Sequence, residues 1–210
     1  MTEDVEAARR AAIEEQLSAH CRRQDHAAAT TIAIRSYGSE VLRFLVATTG
    51  NPSDAEEAFS QFCLLFLEHL PKFRGECSFR TWAYVMARTA LAQLHARRKQ
   101  QRREVALSSE AAAVAAQVRS QTREYLRTEA KHRLAGVIAK LDPDDRMLLL
   151  LRVQRRLSWA EVTRILAGDA SPGGEVLSRR SAALRKRFER LKQVVRVEVL
   201  GEAPVEPEGG

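Results

Sequence analysis

The sequence predicts an all-α protein of two small helical domains joined by a linker, and three observations carry that expectation. Apolar residues recur at helical rather than alternating spacing along nearly the whole chain. Capping signatures open several of these periodic stretches. An alanine-rich segment with few large apolar groups separates two blocks of them, and 210 residues leave room for one or two domains.

Residues 1–25 read as an acidic amino-terminal extension, with five acids and two bases in the first twenty positions. From Ala27 to Thr49, Ile32, Ile34, Tyr37, Val41, Leu42, Leu45 and Val46 mark a helix in which Gly38 is a candidate interruption. The run "GNPSDAEE" is a break followed by a helix start. Ser53 and Glu56 stand in capping-box register, and acids fill the first turn, where the helix dipole favours them. This helix is expected over Asp54–Leu70, ending before Pro71. Ala58, Phe59, Phe62, Cys63, Leu64, Leu65, Phe66, Leu67 and Leu70 carry apolar groups nearly all the way round it, which marks a helix central to its core or shared with a partner. A turn at Phe73–Cys77 then leads into a long helix from near Ser78 through the basic run, closing a first domain at 26–103.

Residues 104–122 are the linker. Leu126, Ala130, Leu134, Val137, Ile138 and Leu141 mark the first helix of a second domain, 123–196. Asp142 is an N-cap with Pro143 at the first helical position and Asp145 at the third. Ser158 and Glu161 form a second capping box, opening a short helix to Leu166 that stops at Gly168. The turn "GDASPGGEV" leads to a basic helix, Leu177 to Arg196. Short helix, glycine turn and basic helix make a helix-turn-helix, whose second helix enters the DNA major groove. Its turn is about three residues longer than usual, with Pro172, Gly173 and Gly174. Trp159, Val162, Leu166, Leu177, Leu184, Phe188 and Leu191 are expected to face the core. Residues 197–210, with four acids and no base, have the Glu, Pro and Gly content of a disordered tail.

The net charge of +7 is concentrated inside the chain. Arg97, Arg98, Lys99, Arg102 and Arg103 form one cluster, and eight Lys/Arg against one Glu between Leu177 and Arg196 form another, the footprint of a polyanion partner. Cys21, Cys63 and Cys77 lack disulfide or zinc-ligand spacing and suit a reducing cytoplasm. No apolar run approaches the ~18 residues of a membrane span, so no membrane insertion is expected. His20, His26, His69, His95 and His132 are scattered, with no HExxH and no Gly-rich phosphate loop after a strand. No enzyme, metal or cofactor is therefore expected.

Three segments carry a family resemblance: "GNPSDAEEAF", "KFRGECSFRTWAYVMAR" and "LDPDDRMLLLLRVQRRLSWAEV". The middle one is the most specific. From about Tyr37 to Lys192 the chain resembles a bacterial sigma-70 family sigma factor of the extracytoplasmic-function (ECF) group, which keeps only the second and fourth conserved regions. It resembles a divergent member, with Thr89 and Gln93 where Asn and Asp are usual, and Ser60 and Gln61 where glutamine and an acid are usual.

The resemblance implies core RNA polymerase and promoter DNA as partners, with an anti-sigma factor as a third, and no cofactor. It assigns Asp54, Glu56, Glu57, Ser60, Gln61 and Leu64 to core-polymerase binding. The loop Arg74 to Phe79 would capture a flipped base of the non-template strand in the −10 element, with Arg80, Trp82, Arg88, Thr89, Gln93, Arg97 and Arg98 alongside. Stacking walls and Arg planes hold an unstacked base with roughly 1–3 kcal/mol, against an extrusion cost of a few kcal/mol. Arg80, Arg88, Arg97 and Arg98 are expected at phosphates because their charge stands on a face without nearby acids. By helical spacing alone Phe73, Trp82 and Tyr84 are core aromatics. Ser178, Arg179, Arg180, Ala182, Arg185 and Lys186 would read the −35 element, Arg commonly pairing with guanine O6 and N7. The competing reading is a sigma-like DNA-binding regulator without open-complex activity, against which the Ser78–Trp82 run beside basic residues counts.

Overall fold

Helix follows helix along the chain in a computed structural model that describes residues 2–105 and 136–200. The linker beyond 105, the positions Leu126, Ala130 and Leu134, and the tail beyond 200 lie outside the described residues. The amino-terminal half contains α1 (Thr2–Arg22), α2 (His26–Thr49), α3 (Pro52–His69) and α4 (Phe79–Val105). A helical stretch at 136–140 precedes α5 (Pro143–Leu149), which runs on into a π-turn at Leu150–Gln154. Then come α6 (Trp159–Ala167) and α7 (Gly174–Leu200).

The acidic extension is a helix built into the bundle. Leu17 is fully buried, and Ile13 and Cys21 pack beside it against the core. Asp25 opens α2 by accepting from the Ala28 N–H at 3.2 Å. Gly38 does not interrupt α2. It is buried inside the helix, where an added Cβ would stand 3.4 Å from the Phe59 ring, so its role is close approach of α2 and α3. The α3 start differs from expectation as well. Asn51, not Ser53, is the N-cap, accepting from the Ser53 N–H at 3.0 Å. Pro52 explains the shift: it has no N–H to leave unsatisfied, and its fixed φ suits the first helical position.

Helices α2, α3 and α4 pack on one another around Phe44, Phe62, Phe66 and Tyr84, with α1 along α2. Each such aromatic contributes about 1.5–3 kcal/mol by leaving water. In the second half the caps form as the sequence predicts. Asp142 accepts from the Asp144 N–H at 2.9 Å with Pro143 first in α5. Ser158 and Glu161 exchange backbone-to-side-chain bonds at 3.3 and 2.7 Å. Gly168, at φ +66°, closes α6 in the left-handed conformation that glycine adopts without cost. The basic helix begins three residues earlier than expected. The Leu177 N–H bonds the Gly173 carbonyl at 2.9 Å, so Gly174 belongs to its first turn and the connection shortens to 168–173.

Buried residues of both halves belong to one contiguous apolar cluster. Polar bonds reinforce it: the Arg146 guanidinium of α5 donates to the Thr48 carbonyl at the end of α2 at 2.7 Å, and α4 packs against α6. No described helix is long and apolar enough to cross a membrane.

Candidate nucleic-acid interface

A helix beginning inside a protein exposes N–H groups that need acceptors, and α4 satisfies all of its first ones. The Ser78 hydroxyl accepts from the Thr81 N–H at 3.0 Å, and the Ser78 carbonyl accepts from Trp82 at 2.9 Å. Glu14 of α1 takes the remaining two, from Phe79 at 2.7 Å and Arg80 at 3.1 Å, and also accepts the Tyr37 hydroxyl at 2.7 Å. Burial, then this bond to Glu14, drives the Tyr37 hydroxyl's pKa far above its ordinary value. The loop that the sequence assigns to base capture, 74–79, is thus anchored by a carboxylate 65 positions away from Phe79.

The aromatics of this stretch form an internal stack. Phe66 meets Trp82 at 4.7 Å, Trp82 meets Phe73 at 5.2 Å, and Phe73 meets Phe79 at 4.3 Å between ring centroids. Phe79 is 3% exposed and Trp82 5%. Arg74 is exposed on the loop, whose tip turns at Gly75 with φ +73°. A small cleft of about 110 Å³ opens between Arg74, Glu76, Cys77 and Trp82 on one side and Ala170 and Ser171 of the α6–α7 connection on the other. Burial pushes the Cys77 thiol up to about 11, against the opposing charge of Arg164.

Arg80, Arg88 and Arg98 of α4 do not stand apart from acids, contrary to the expectation from sequence. Arg80 forms a forked pair with Glu40 of α2, which also accepts the Tyr84 hydroxyl at 3.0 Å. Burial pushes the Glu40 carboxyl up, but the hydrogen bonds and charge of Arg80 more than offset it and hold it below the usual carboxylate range. Arg98 pairs with Asp54 and, at 3.0 Å, with Glu57 of α3. Arg88 reaches Asp144 of α5 at 3.8 Å. Arg97 is exposed. The reason is tertiary: α4 packs against α2 and α3, and the carboxylates come from neighbouring helices, Glu40 from α2, Asp54 and Glu57 from α3 and Asp144 from α5.

Residues assigned to core-polymerase binding and to the −10 element therefore meet on adjoining faces of α3 and α4. Gln61 donates to Gln93 at 3.3 Å, alongside the Asp54–Glu57–Arg98 cluster. Thr89 turns its hydroxyl back to the Val85 carbonyl at 3.0 Å. Glu56 and Ser60 are exposed, and the Ser60 hydroxyl donates to the Glu56 carbonyl at 3.0 Å. Leu64 and Leu67 are 63% and 46% exposed, so part of the apolar circumference of α3 faces outward.

On α7, Ser178, Arg179, Arg180, Ala182, Arg185 and Lys186 are all exposed over the helix's first turns. Behind them Thr163 and Ser181 share a buried hydroxyl bond at 2.8 Å, and Trp159 meets Phe188 edge-on at 5.6 Å. Arg187 is bound to Asp145, with Asp142 at 3.5 Å, which raises the pKa of its guanidinium.

Glu14, Glu40 and Thr81 are the site-building residues that sequence reasoning passed over. Ile13 and Leu17, four apart around Glu14, were the signal that the later part of α1 packs. The bundle matches a known domain. Residues 33–103 match the Sigma-70 region 2 family, and over 165 residues, 78% of this chain and 94% of its relative, the protein is 27% identical to the RNA polymerase sigma factor YlaC of Bacillus subtilis (strain 168).

Proposed function

We propose that this chain is a sigma factor of the ECF group, which binds core RNA polymerase, directs it to promoters carrying −10 and −35 elements, and assists opening at −10. The observation that carries this reading is the region-2-like bundle with its doubly capped 74–79 loop, bordered by the exposed guanidinium of Arg74. A loop held this firmly loses little entropy on receiving a base. In this reading 26–103 serves core polymerase and the −10 element, and 123–196 serves the −35 element through the exposed face of α7. The protein does no covalent chemistry; strand capture and binding energy are its contribution. Its place is the cytoplasm, under an anti-sigma factor.

Promoter elements about two helical turns apart lie roughly 70 Å from each other on B-DNA, whereas α4 and α6 are in contact. Engaging both elements therefore requires the two halves to separate. In vitro transcription with core polymerase and promoter fragments from the source genome tests the proposal. Starts that depend on the protein support it. Core binding without any start favours the regulator without open-complex activity, and no core binding overturns both the polymerase role and the assignment of α3.

A further inference from the structure

A second basic surface borders the start of α4 at Arg80 and contains no residue of the 74–79 loop or of the α7 face. A cleft of about 940 Å³ opens between α1, α2, the start of α4 and the corner after the π-turn, lined by seven arginines and two glutamates. Arg80 is paired with Glu40, and Arg10 lies 3.6 Å from Glu6. Arg9, Arg35 and Arg43 are exposed, with no carboxylate in ion-pair reach among the described residues. Arg155, across the cleft, makes one long bond to the Glu40 carbonyl at 3.5 Å and helps hold the Glu40 carboxylate charged, while its buried Nε has no hydrogen-bond partner among the described residues.

We infer that this cleft is a binding site for a chain of phosphates. Like charges gathered from separate elements into one concavity repel, and their combined field draws in an anion. All seven cations are guanidinium groups, whose planar fork pairs two N–H bonds with a phosphate, where an ammonium offers a point charge. The volume exceeds that of a single phosphate several times over. Tyr37 is the aromatic among the lining residues, and it is 3% exposed with its hydroxyl given to Glu14. The walls thus offer no ring for stacking a base, and recognition is of phosphate groups. Because Arg35 and Arg43 belong to one half and Arg155 to the other, the ligand bridges the halves and holds them in contact. This assignment does not depend on the transcription reading.

Isothermal titration of the full-length protein with tripolyphosphate at physiological ionic strength tests it. One equivalent is expected to bind. R35A/R43A, which removes two exposed cations with no carboxylate in reach among the described residues, is expected to weaken binding at least about tenfold, and R155A comparably. R23A/R196A, equal in charge change and outside the cleft, is expected to shift affinity less than about twofold. No binding, or equal losses in the cleft and control variants, overturns the site. Wild-type affinity in R155A overturns its two-sided construction. If R155A loses helicity by circular dichroism, R155K, which keeps the charge without the fork, replaces it and is expected to weaken binding. Competition with a single-stranded oligonucleotide lacking promoter sequence then assigns the source of the phosphates: displacement of tripolyphosphate means a nucleic-acid backbone, and retention means a free phosphate chain.

Discussion

The Thr81 hydroxyl of α4 donates to the Glu161 carboxylate of α6 at 3.0 Å, while Glu161 also accepts the Ser158 N–H that opens α6. One carboxylate therefore ties the capping of a helix in the second half to the first turn of the helix that carries the loop in the first half. With the Arg146 bond to the Thr48 carbonyl it forms a polar latch around the apolar contact. The ends of that latch lie close to the surface assigned to the −10 element.

Thr81→Val keeps the side chain's volume and removes this bond, leaving the Glu161 cap in place. A net hydrogen bond of about 1 kcal/mol corresponds to roughly a fivefold shift toward separated halves. Small-angle scattering is expected to show a larger radius of gyration for the variant. An unchanged radius would mean that the apolar contact alone decides the arrangement.

Glu14→Ala leaves the N–H groups of Phe79 and Arg80 and the Tyr37 hydroxyl without their acceptor. Losing a charged, partly buried acceptor of three donors is expected to cost about 2–4 kcal/mol. Urea unfolding should show a lower midpoint at an unchanged slope.

The Glu40–Arg80 pair makes stability sensitive to acid. The Glu40 carboxyl titrates below its ordinary value in the folded protein, so its contribution is fully present above the ordinary carboxylate range of about 4.3 and is lost as pH falls through the lower folded value. Glu40→Gln is expected to be less stable at neutral pH by about 2–4 kcal/mol. It should also lose less stability than the wild type between about pH 6 and pH 3. Parallel urea titrations at the two pH values measure both quantities.

Arg179→Ala/Arg180→Ala removes two exposed side chains from α7, so unfolding free energy should stay within about 0.5 kcal/mol of wild type. Transcription from a duplex promoter is expected to fall at least about tenfold, one lost base or phosphate contact being worth roughly 1–3 kcal/mol. Transcription from a template melted beforehand should persist. Arg74→Ala is expected to do the reverse, impairing opening more than −35 binding.

With a thiol pKa of about 11, Cys77 is almost wholly protonated near neutral pH, and the thiolate is the reacting form. Its alkylation by iodoacetamide is expected to be slow at pH 8 and still rising between about pH 9 and pH 11. Mass-resolved rates for each cysteine check this, and a plateau by about pH 9.5 would show the loop to be more open than the 110 Å³ cleft implies.

What the sequence by itself determined was local. The caps at Asp142 and Ser158, the helix stop at Gly168, the core placement of Trp82 and the outward basic face of α7 all rest on bonds and periodicities spanning a few residues, which a linear reading sees directly. Where a local rule had two solutions, as with Asn51 against Ser53 or Gly174 inside or outside α7, the choice moved by two or three positions. Only the tertiary structure decided which carboxylate neutralises Arg80 or Arg98, that Glu14 caps a helix far along the chain, and that Arg35 faces the same cleft as Arg155. Such pairings depend on how helices pack. Packing is set by the summed burial of many side chains, and no single stretch of sequence holds that information.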